Sequence, residues 1–343
     1  MEVKQVDDYS GFNEYVARHP HGSVLQTTNW GQLKETTGWE WHPLAVFDGG
    51  KIAASALVLA RPLKGLGIHI LYSPRGPLFS SLEALNKLSQ GVRELGTKKR
   101  AFAWKVDPAL PPEDKRWQKF VQEQRLAKVV SDSNFGGVQP KYVMDLDITP
   151  PLQDILAQMK SKTRYNIRYA ARKGVKVIRS RRKQDLSVFY ALLQETAARD
   201  GFAVRDLSYF ESMWDYLIEA GLAQLFLAYH GELPLAGAIA FRLGRRAWYV
   251  YGASSDELRN LQASHLMQWE MIKWAKAFGC AVYDFRGVSG ELDPNNPLYG
   301  LYRFKEGFGA TLREYVGEFD LVLNRPLYHM WQAALKLQAR RRT

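Results

Sequence analysis

Two stretches of the chain share one pattern of apolar runs and polar breaks. In the first, Leu44, Ala45, Val46 and Phe47 lead into Asp48-Gly49-Gly50 and out again through Ile52 to Leu57. A break of this kind between two apolar runs predicts a tight hairpin, because its left-handed positions suit glycine. In the second, the runs 225–229 and 233–239 flank a turn at His230-Gly231-Glu232. A third strand follows each hairpin, at 67–72 and 246–251. Helical periodicity then takes over at about 82–99 and 264–278, and an apolar strand closes each set, at 101–106 and 281–285. This order, used twice, predicts an α/β (α+β) chain of two tandem units, each a mixed, mostly antiparallel sheet flanked by helices.

Pro150 and Pro151 break the pattern after a strand at 141–146. The first domain is therefore expected over 1–149 and the second over 150–319. Residues 311–323 read as one long strand. An amphipathic helix from about Pro326 to Arg341 follows, carrying Leu327, Met330, Trp331, Leu335 and Leu337, and 320–343 is expected to complete the first domain. Its basic finish, Arg340, Arg341 and Arg342, suits the negative end of a helix dipole. Contact with a membrane surface is the alternative.

Composition narrows the class. A length of 343 residues with 46% apolar and 13% aromatic content suits two folded domains and excludes general disorder. No stretch approaches the roughly 18 consecutive apolar residues of a membrane span. No basic run followed by an apolar one opens the chain, so no signal peptide is expected. The single cysteine, Cys280, cannot form an intrachain disulfide and reads as a small buried apolar residue. A cytoplasmic protein is the expectation, with peripheral contact at the inner membrane face left open. The seven histidines show no paired metal spacing, and no metal is expected.

Charge changes the picture most. Residues 160–183 hold eleven Lys or Arg and no Asp or Glu, which is +11 of a net +12. Lys160, Arg164, Arg168 and Arg172 recur every four residues, along one side of a basic helix expected over 160–183. Like charges at that spacing repel by about 0.2–0.5 kcal/mol per pair. A polyanion relieves that repulsion, and a solvated basic face is the plainer reading. Lys162 adds to the stripe, while Tyr165 and Tyr169 beside it offer rings either for packing or for stacking on unpaired bases.

The element order is that of the GNAT acyltransferase superfamily, whose members hold acyl-CoA pyrophosphate in a Gly-rich turn at a helix N-terminus. The matching turn here, 259–264, has no glycine, and Leu261 and Ala263 place Cβ atoms where backbone should approach the anion. Segment 73–80 in the other half has one glycine and two prolines. Acyl-CoA is not expected in either half.

A duplicated GNAT plan without that turn resembles the FemABX family, which builds peptidoglycan interpeptide bridges from aminoacyl-tRNA. The likeness runs along nearly the whole chain, through 26–34 with Gly38 and Trp39, Val106-Asp107-Pro108, Lys162-Thr163-Arg164 to Arg168, and Gly174-Val175. It continues in Arg205-Asp206-Leu207-Ser208-Tyr209-Phe210, Trp248 to Tyr251, and Tyr299 to Phe308 with Phe304-Lys305. No heptad run long enough for the coiled-coil arm of larger members is present, so the chain resembles the compact, FemX-like form.

The resemblance implies two GNAT-like domains with a cleft between them, no cofactor, and direct aminolysis by a monomeric enzyme. The side-chain amine of the acceptor, UDP-MurNAc-pentapeptide or lipid II, attacks the ester of an aminoacyl-tRNA. It implies Lys305 as the cation facing the departing ribose oxygen, and Lys34, Arg205, Tyr209, Tyr251 and the Phe102 position as precursor contacts. Phe102 departs from the family's tyrosine and lacks its hydroxyl. Lys160, Lys162, Arg164, Arg168, Arg172 and Phe304 fall to tRNA. Asp107 is either a general base or ammonium orienter or, ahead of Pro108, a turn initiator. Two other readings compete: a GNAT-like N-acyltransferase using acyl-CoA on a surface polysaccharide or amino sugar, and a non-catalytic RNA-binding protein.

Overall fold

In a computed structural model describing residues 1–63, 65–130 and 135–340, with the side chains at 336 and 338–340 excepted, the chain divides into two compact units. One comprises Met1–Lys141 and Glu314–Thr343, the other Tyr142–Arg313. The chain starts with β1 (Glu2–Gln5), α1 (Tyr9–Arg18) and α2 (Thr28–Glu35). β2 (Glu40–Asp48), β3 (Lys51–Leu63) and β4 (Ile68–Ser73) then form an antiparallel triplet, with β5 (Leu78–Phe79) added on β3. Gly49 and Gly50 take φ of 53° and 79°, as the two-residue turn requires. Helix α3 (Leu82–Lys98) leads to β6 (Ala101–Val106), parallel to β4, and α4 (Lys115–Gln124) and β7 (Ala127–Lys128) follow.

The second unit opens with β8 (Tyr142–Asp147), α5 (Leu152–Gln158), α6 (Ser161–Arg172) and β9 (Val175–Arg179). After α7 (Leu186–Asp200) and α8 (Leu207–Met213) come the triplet β10 (Ala223–His230), β11 (Leu233–Leu243) and β12 (Arg246–Ser254). Helix α9 (Ala263–Ala277) carries the chain to β13 (Val282–Gly287), parallel to β12, before α10 (Tyr299–Gly307) and β14 (Thr311–Glu314). β15 (Phe319–Val322) and α11 (Arg325–Arg340) belong to the first unit.

The first sheet runs β1-β2-β3-β4-β6-β15-β7 and the second β14-β8-β13-β12-β11-β10-β9. Each contains the same core: an antiparallel triplet, a helical crossover, and a strand parallel to the third. Each parallel strand is flanked by an antiparallel neighbour, β15 for β6 and β8 for β13. Helix α3 buries Leu85, Leu88, Val92 and Leu95, the i, i+3, i+7 stripe that faces a sheet, and α9 does the same with Met267, Met271 and Trp274. On the first unit, α11 lays Leu327, Tyr328 and Trp331 against Ile68, Phe102 and Ala103.

Three expectations change. The strand before the proline pair belongs to the second sheet, where Leu146 pairs with Tyr283. The expected long strand at 311–323 is two strands in different sheets, interrupted where Gly317 takes φ 82°. The basic helix stops at Arg172, because Gly174 turns left-handed at φ 86° and Val175, Val177 and Ile178 then prefer extended chain. Of the C-terminal basic finish, Arg341 and Arg342 lie outside the described residues, as does the Arg340 side chain.

Candidate active site

Lys305 faces inward from α10 and is 3% exposed. Its ammonium donates to the carbonyls of Gly287 at 2.6 Å and Arg286 at 3.2 Å. Burial lowers its pKa to about 7; Asp284 opposes that shift and the Arg286 charge adds to it. The ordinary surface pairings are taken by others, since Glu306 binds Lys160 and Glu314 binds Lys141. Lys305 is a desolvated amine held by two backbone oxygens.

Local sequence builds that cradle. β13 bends at Arg286, whose φ of 65° is left-handed, and the ladder with β8 shifts between Asp284 and Gly287. Asp284 stabilises the bend by accepting the Arg286 N–H at 2.6 Å. Its other oxygen lies 3.4 Å from Arg246, which forks onto Asp145 at 2.8 and 3.1 Å. Burial, reinforced by the Asp284 charge, pushes Asp145 up to about 6.

Tyr251 on β12 and Tyr209 on α8 share a side-chain hydrogen bond, and burial raises both phenols above their ordinary pKa. Edge-on contact with Phe210 at 5.3 Å fixes the Tyr251 ring. The exposed Arg205 guanidinium stands 5.5 Å from the Tyr209 ring centre, and its charge and that of Arg286 both favour the Tyr251 phenolate. Arg286 is the residue that sequence reasoning missed. The pattern Asp284-Phe285-Arg286 is an Asx-type turn signal that could have found it.

The basic segment is only partly a stripe. Lys160 caps α6 from outside it and pairs with Glu306. Arg164 is half-buried and donates to the carbonyls of Ala157 and Met159. Lys162, Arg168 and Arg172 are exposed, as are Lys173, Lys176, Arg179, Arg181 and Arg182 beyond them. Tyr165, 57% exposed, stacks on Tyr169 with ring centres 5.7 Å apart.

At the N-terminus of α9 lies a cavity of about 380 Å³, lined by Ser255, Arg259, Gln262, Ser264, His265 and Phe304, among others. Gln262 there is left-handed at φ 60° although it is not glycine. The side chain of Leu261 turns into the core instead of standing in an anion's path, while Ala263 lines the cavity. Asn166 of α6 donates to Gln262 at 3.1 Å and lies 3.2 Å from the His265 ring nitrogen. Burial lowers His265 to about 4, helped by the charge of Lys162. Phe304 packs edge-on against His265 at 5.1 Å, so it serves as cavity wall.

In the first unit, two expectations are corrected. Phe102 is completely buried beneath Trp331 of α11 and offers no surface to a precursor. Asp107 is also buried; its oxygens accept the Tyr72 hydroxyl at 2.6 Å and the Arg75 N–H at 2.5 Å, so it holds a turn and has no open face for a general base. Burial pushes it up to about 6. Lys34 is 8% exposed on α2, its ammonium 5.7 Å from the Trp30 ring centre. Among the described residues no cluster of His, Cys, Asp or Glu is placed to hold a metal, and no helix is long and apolar enough to cross a membrane.

Two copies of the triplet–helix–strand plan define a tandem GNAT-like protein. A tandem GNAT protein from the clavulanic acid pathway shares the fold at 12% identity, with a TM-score of 0.54 over 94% of this chain and 99% of that one. The chain belongs to the FemAB family, whose profile matches residues 9–230 and 220–336. It is 30% identical to a lipid II:glycine glycyltransferase of Staphylococcus aureus (strain USA300) over 92% of each chain. The crystal structure of FemX superposes with a TM-score of 0.89 at 28% identity, covering 96% of this chain and 99% of that one. Membership makes this protein a FemABX-type transferase.

Proposed function

We propose that the protein transfers an amino acid from aminoacyl-tRNA to the side-chain amine of a peptidoglycan pentapeptide precursor, as UDP-MurNAc-pentapeptide or lipid II. The observation that carries the reading is the buried Lys305 ammonium, aimed by two carbonyls and close to neutrality. Aminolysis of an ester needs no covalent enzyme intermediate. The acceptor nitrogen forms the new amide, the ester C–O bond breaks, and the ribose oxygen leaves with the proton that the amine gives up.

Lys305 supplies the positive charge at that departing oxygen, and a pKa near 7 makes it a better proton donor to it than an ordinary lysine. Arg205, Tyr209 and Tyr251 offer the cation, the hydroxyls and the flat faces that a phosphorylated muramyl peptide needs. The exposed cations of α6 and β9, with the stacked Tyr165–Tyr169 pair, form a surface suited to an RNA backbone and its unpaired end. The exposed Met330 and Leu337 of α11 suit peripheral contact with the membrane that carries a lipid-linked acceptor.

The test is direct. Purified protein is incubated with charged tRNA and the nucleotide precursor, or lipid II in detergent, and the acceptor is weighed by mass spectrometry. A gain of one amino-acid residue that requires both substrates is expected. Acylation of an amine from acetyl-CoA, with no use of charged tRNA, would replace this reading with the N-acyltransferase one.

A further inference from the structure

Helix α11 leaves much of its apolar surface uncovered. Tyr328 is buried and Leu327 and Trp331 are half-buried against the first sheet, but Ala333, Ala334, Leu335 and Leu337 are all exposed. Met330 is 68% exposed and Leu337 59%. Met330, Ala334 and Leu337 recur at i, i+4 and i+7, so they share one flank of the helix. Leu327 stands three residues before Met330 and seven before Ala334, which places it at the inner end of that flank.

Leu327 also lines a cavity of about 500 Å³, bounded by the end of α3, the starts of β4 and β6, and the start of α11. Ile68, Ala101 and Leu323 extend its apolar wall, while Arg93 and Arg100 bring positive charge and no acidic residue lines it. Arg93 donates to Gln124 at 3.1 Å and Arg100 is exposed; among the described residues neither has a carboxylate partner. Arg116, Arg182, Arg199 and Arg246 each have one. The end of α3 does not neutralise the two cations, because the Lys99 and Arg100 N–H groups already occupy the Leu95 and Thr97 carbonyls. Arg100 also reaches the turn between β3 and β4. A Cβ on Gly67 would stand 3.6 Å from its guanidinium, and the exposed Leu66 is the preceding residue.

We propose that this corner of the first unit docks on an anionic phospholipid bilayer, with a lipid phosphate seated in the cavity between Arg93 and Arg100 and the Met330–Ala334–Leu337 flank in the acyl boundary. Charge and polarity select that occupant. Guanidinium groups match phosphate oxygens in bidentate fashion, and an apolar flank beside cations is the pattern of a helix lying in a membrane interface. RNA would meet the two arginines but gain nothing from Met330 and Leu337. A second copy of the chain would cover the flank but leave the two cations without an anion. That this bilayer carries the acceptor rests on the transfer proposed above; the docking itself does not need that transfer.

The full chain is sedimented with vesicles of phosphatidylcholine alone or of phosphatidylcholine and phosphatidylglycerol in equal parts. Binding to the mixed vesicles should be tighter by at least about tenfold. Arg93→Gln with Arg100→Gln should weaken it roughly 30-fold, as loss of two cations at a charged surface implies. Arg93→Lys with Arg100→Lys should fall between that pair and wild type. Met330→Asn with Leu337→Asn should weaken it at least about tenfold. Lys51→Gln with Lys115→Gln, exposed elsewhere on the first unit, should leave it within about twofold, since screening confines charge effects to the docked face. Equal binding to both vesicle types, or an equal loss in the Lys51 and Lys115 pair, would overturn the proposal. So would an arginine pair that loses affinity for tRNA and keeps it for vesicles, which would give the corner to RNA. A dimer dissolved by Met330→Asn with Leu337→Asn, with vesicle binding intact, would give the flank to a second copy and overturn it too. In the transfer assay the arginine pair should keep its turnover on soluble UDP-MurNAc-pentapeptide and show a raised KM for lipid II in the mixed vesicles. Failure of all transfer would sink the reaction, yet sedimentation would still decide the docking.

Discussion

At matching places in the repeated plan the two units carry opposite chemistry. Where α3 begins, Ser81 accepts the Ala84 N–H at 3.1 Å and caps the helix. Where α9 begins, no side chain caps it and a cavity opens. Beyond β6, a buried carboxylate is closed off by a tyrosine and a backbone N–H. At the end of β13, a left-handed arginine and a buried lysine take that place. Duplication has left a buried carboxylate at this place in one copy and a buried ammonium in the other, each held by hydrogen bonds from its own unit. Stability and reactivity should therefore answer differently to mutation in the two units.

The largest expected effect is at Lys305. Lys305→Met should lower turnover about 10²- to 10³-fold, as loss of one oxyanion donor does, and leave the precursor KM nearly unchanged. Stability should move the other way at low pH. The folded pKa, about 7, lies below the ordinary lysine value, so the unfolded chain holds the proton more tightly and stability rises with pH above about 7. Near pH 6 wild type bears the full cost of a buried ammonium, on the order of 5 kcal/mol, and the methionine variant should melt higher. Near pH 9 the neutral amine still donates to its two carbonyls, and the order of melting temperatures should reverse. A methionine variant that melts lower at every pH would break the contrast between the units.

Asp107 is the counterpart in the first unit. Its folded pKa of about 6 lies above the usual carboxylate value, so its contribution to stability is full below pH 4 and lost as pH rises through 6. Asp107→Asn should remove that pH dependence, about 3 kcal/mol at most, and keep turnover within twofold. Denaturant titrations at pH 4, 6 and 8 measure the first effect and a transfer assay the second. A tenfold loss of turnover would return Asp107 to catalysis.

The repeated plan was legible because its signals are local. Gly49-Gly50 and Gly231 mark the hairpins, and the apolar runs that fill both sheets leave little choice of register. β9 was hidden because only Val175 of its five residues is buried, so its cations read as a continuation of the helix. The break at Gly317 was hidden because residues on either side of it are equally strand-like, and only pairing partners distinguish them. At the candidate site, Lys305, Arg205 and the two tyrosines were reached through family likeness. Their burial and mutual contacts depend on tertiary packing, which no spacing encodes. Phe102 and Asp107 were misassigned for the same reason: in a sequence, a residue at a strand end looks alike whether it faces a ligand or a covering helix.

A smaller effect concerns surface charge. Removing Arg168 and Arg172 together should lower the slope of log affinity against log salt for charged tRNA by about 1.5, two phosphate contacts at roughly 0.7–0.9 each. Removing the exposed Lys98 and Lys115 of the first unit should leave the slope unchanged. Equal effects from the two pairs would mean that RNA senses only net charge.

The smallest effect tests whether the capped helix start is purely structural. Ser81→Ala removes the acceptor for the Ala84 N–H and should cost about 1 kcal/mol, a fall of roughly 2–4 °C in the first unit. Turnover and both KM values should not move, because the Ser81 hydroxyl already holds its own helix and has no ligand to receive. The matching position of α9 is built the other way, with left-handed Gln262 making no side-chain cap and a cavity lined by Gln262, Ala263 and Ser264. If Ser81→Ala changed the KM of either substrate, the first unit would also be using its helix start for binding. The two copies would then have diverged less than their geometry indicates.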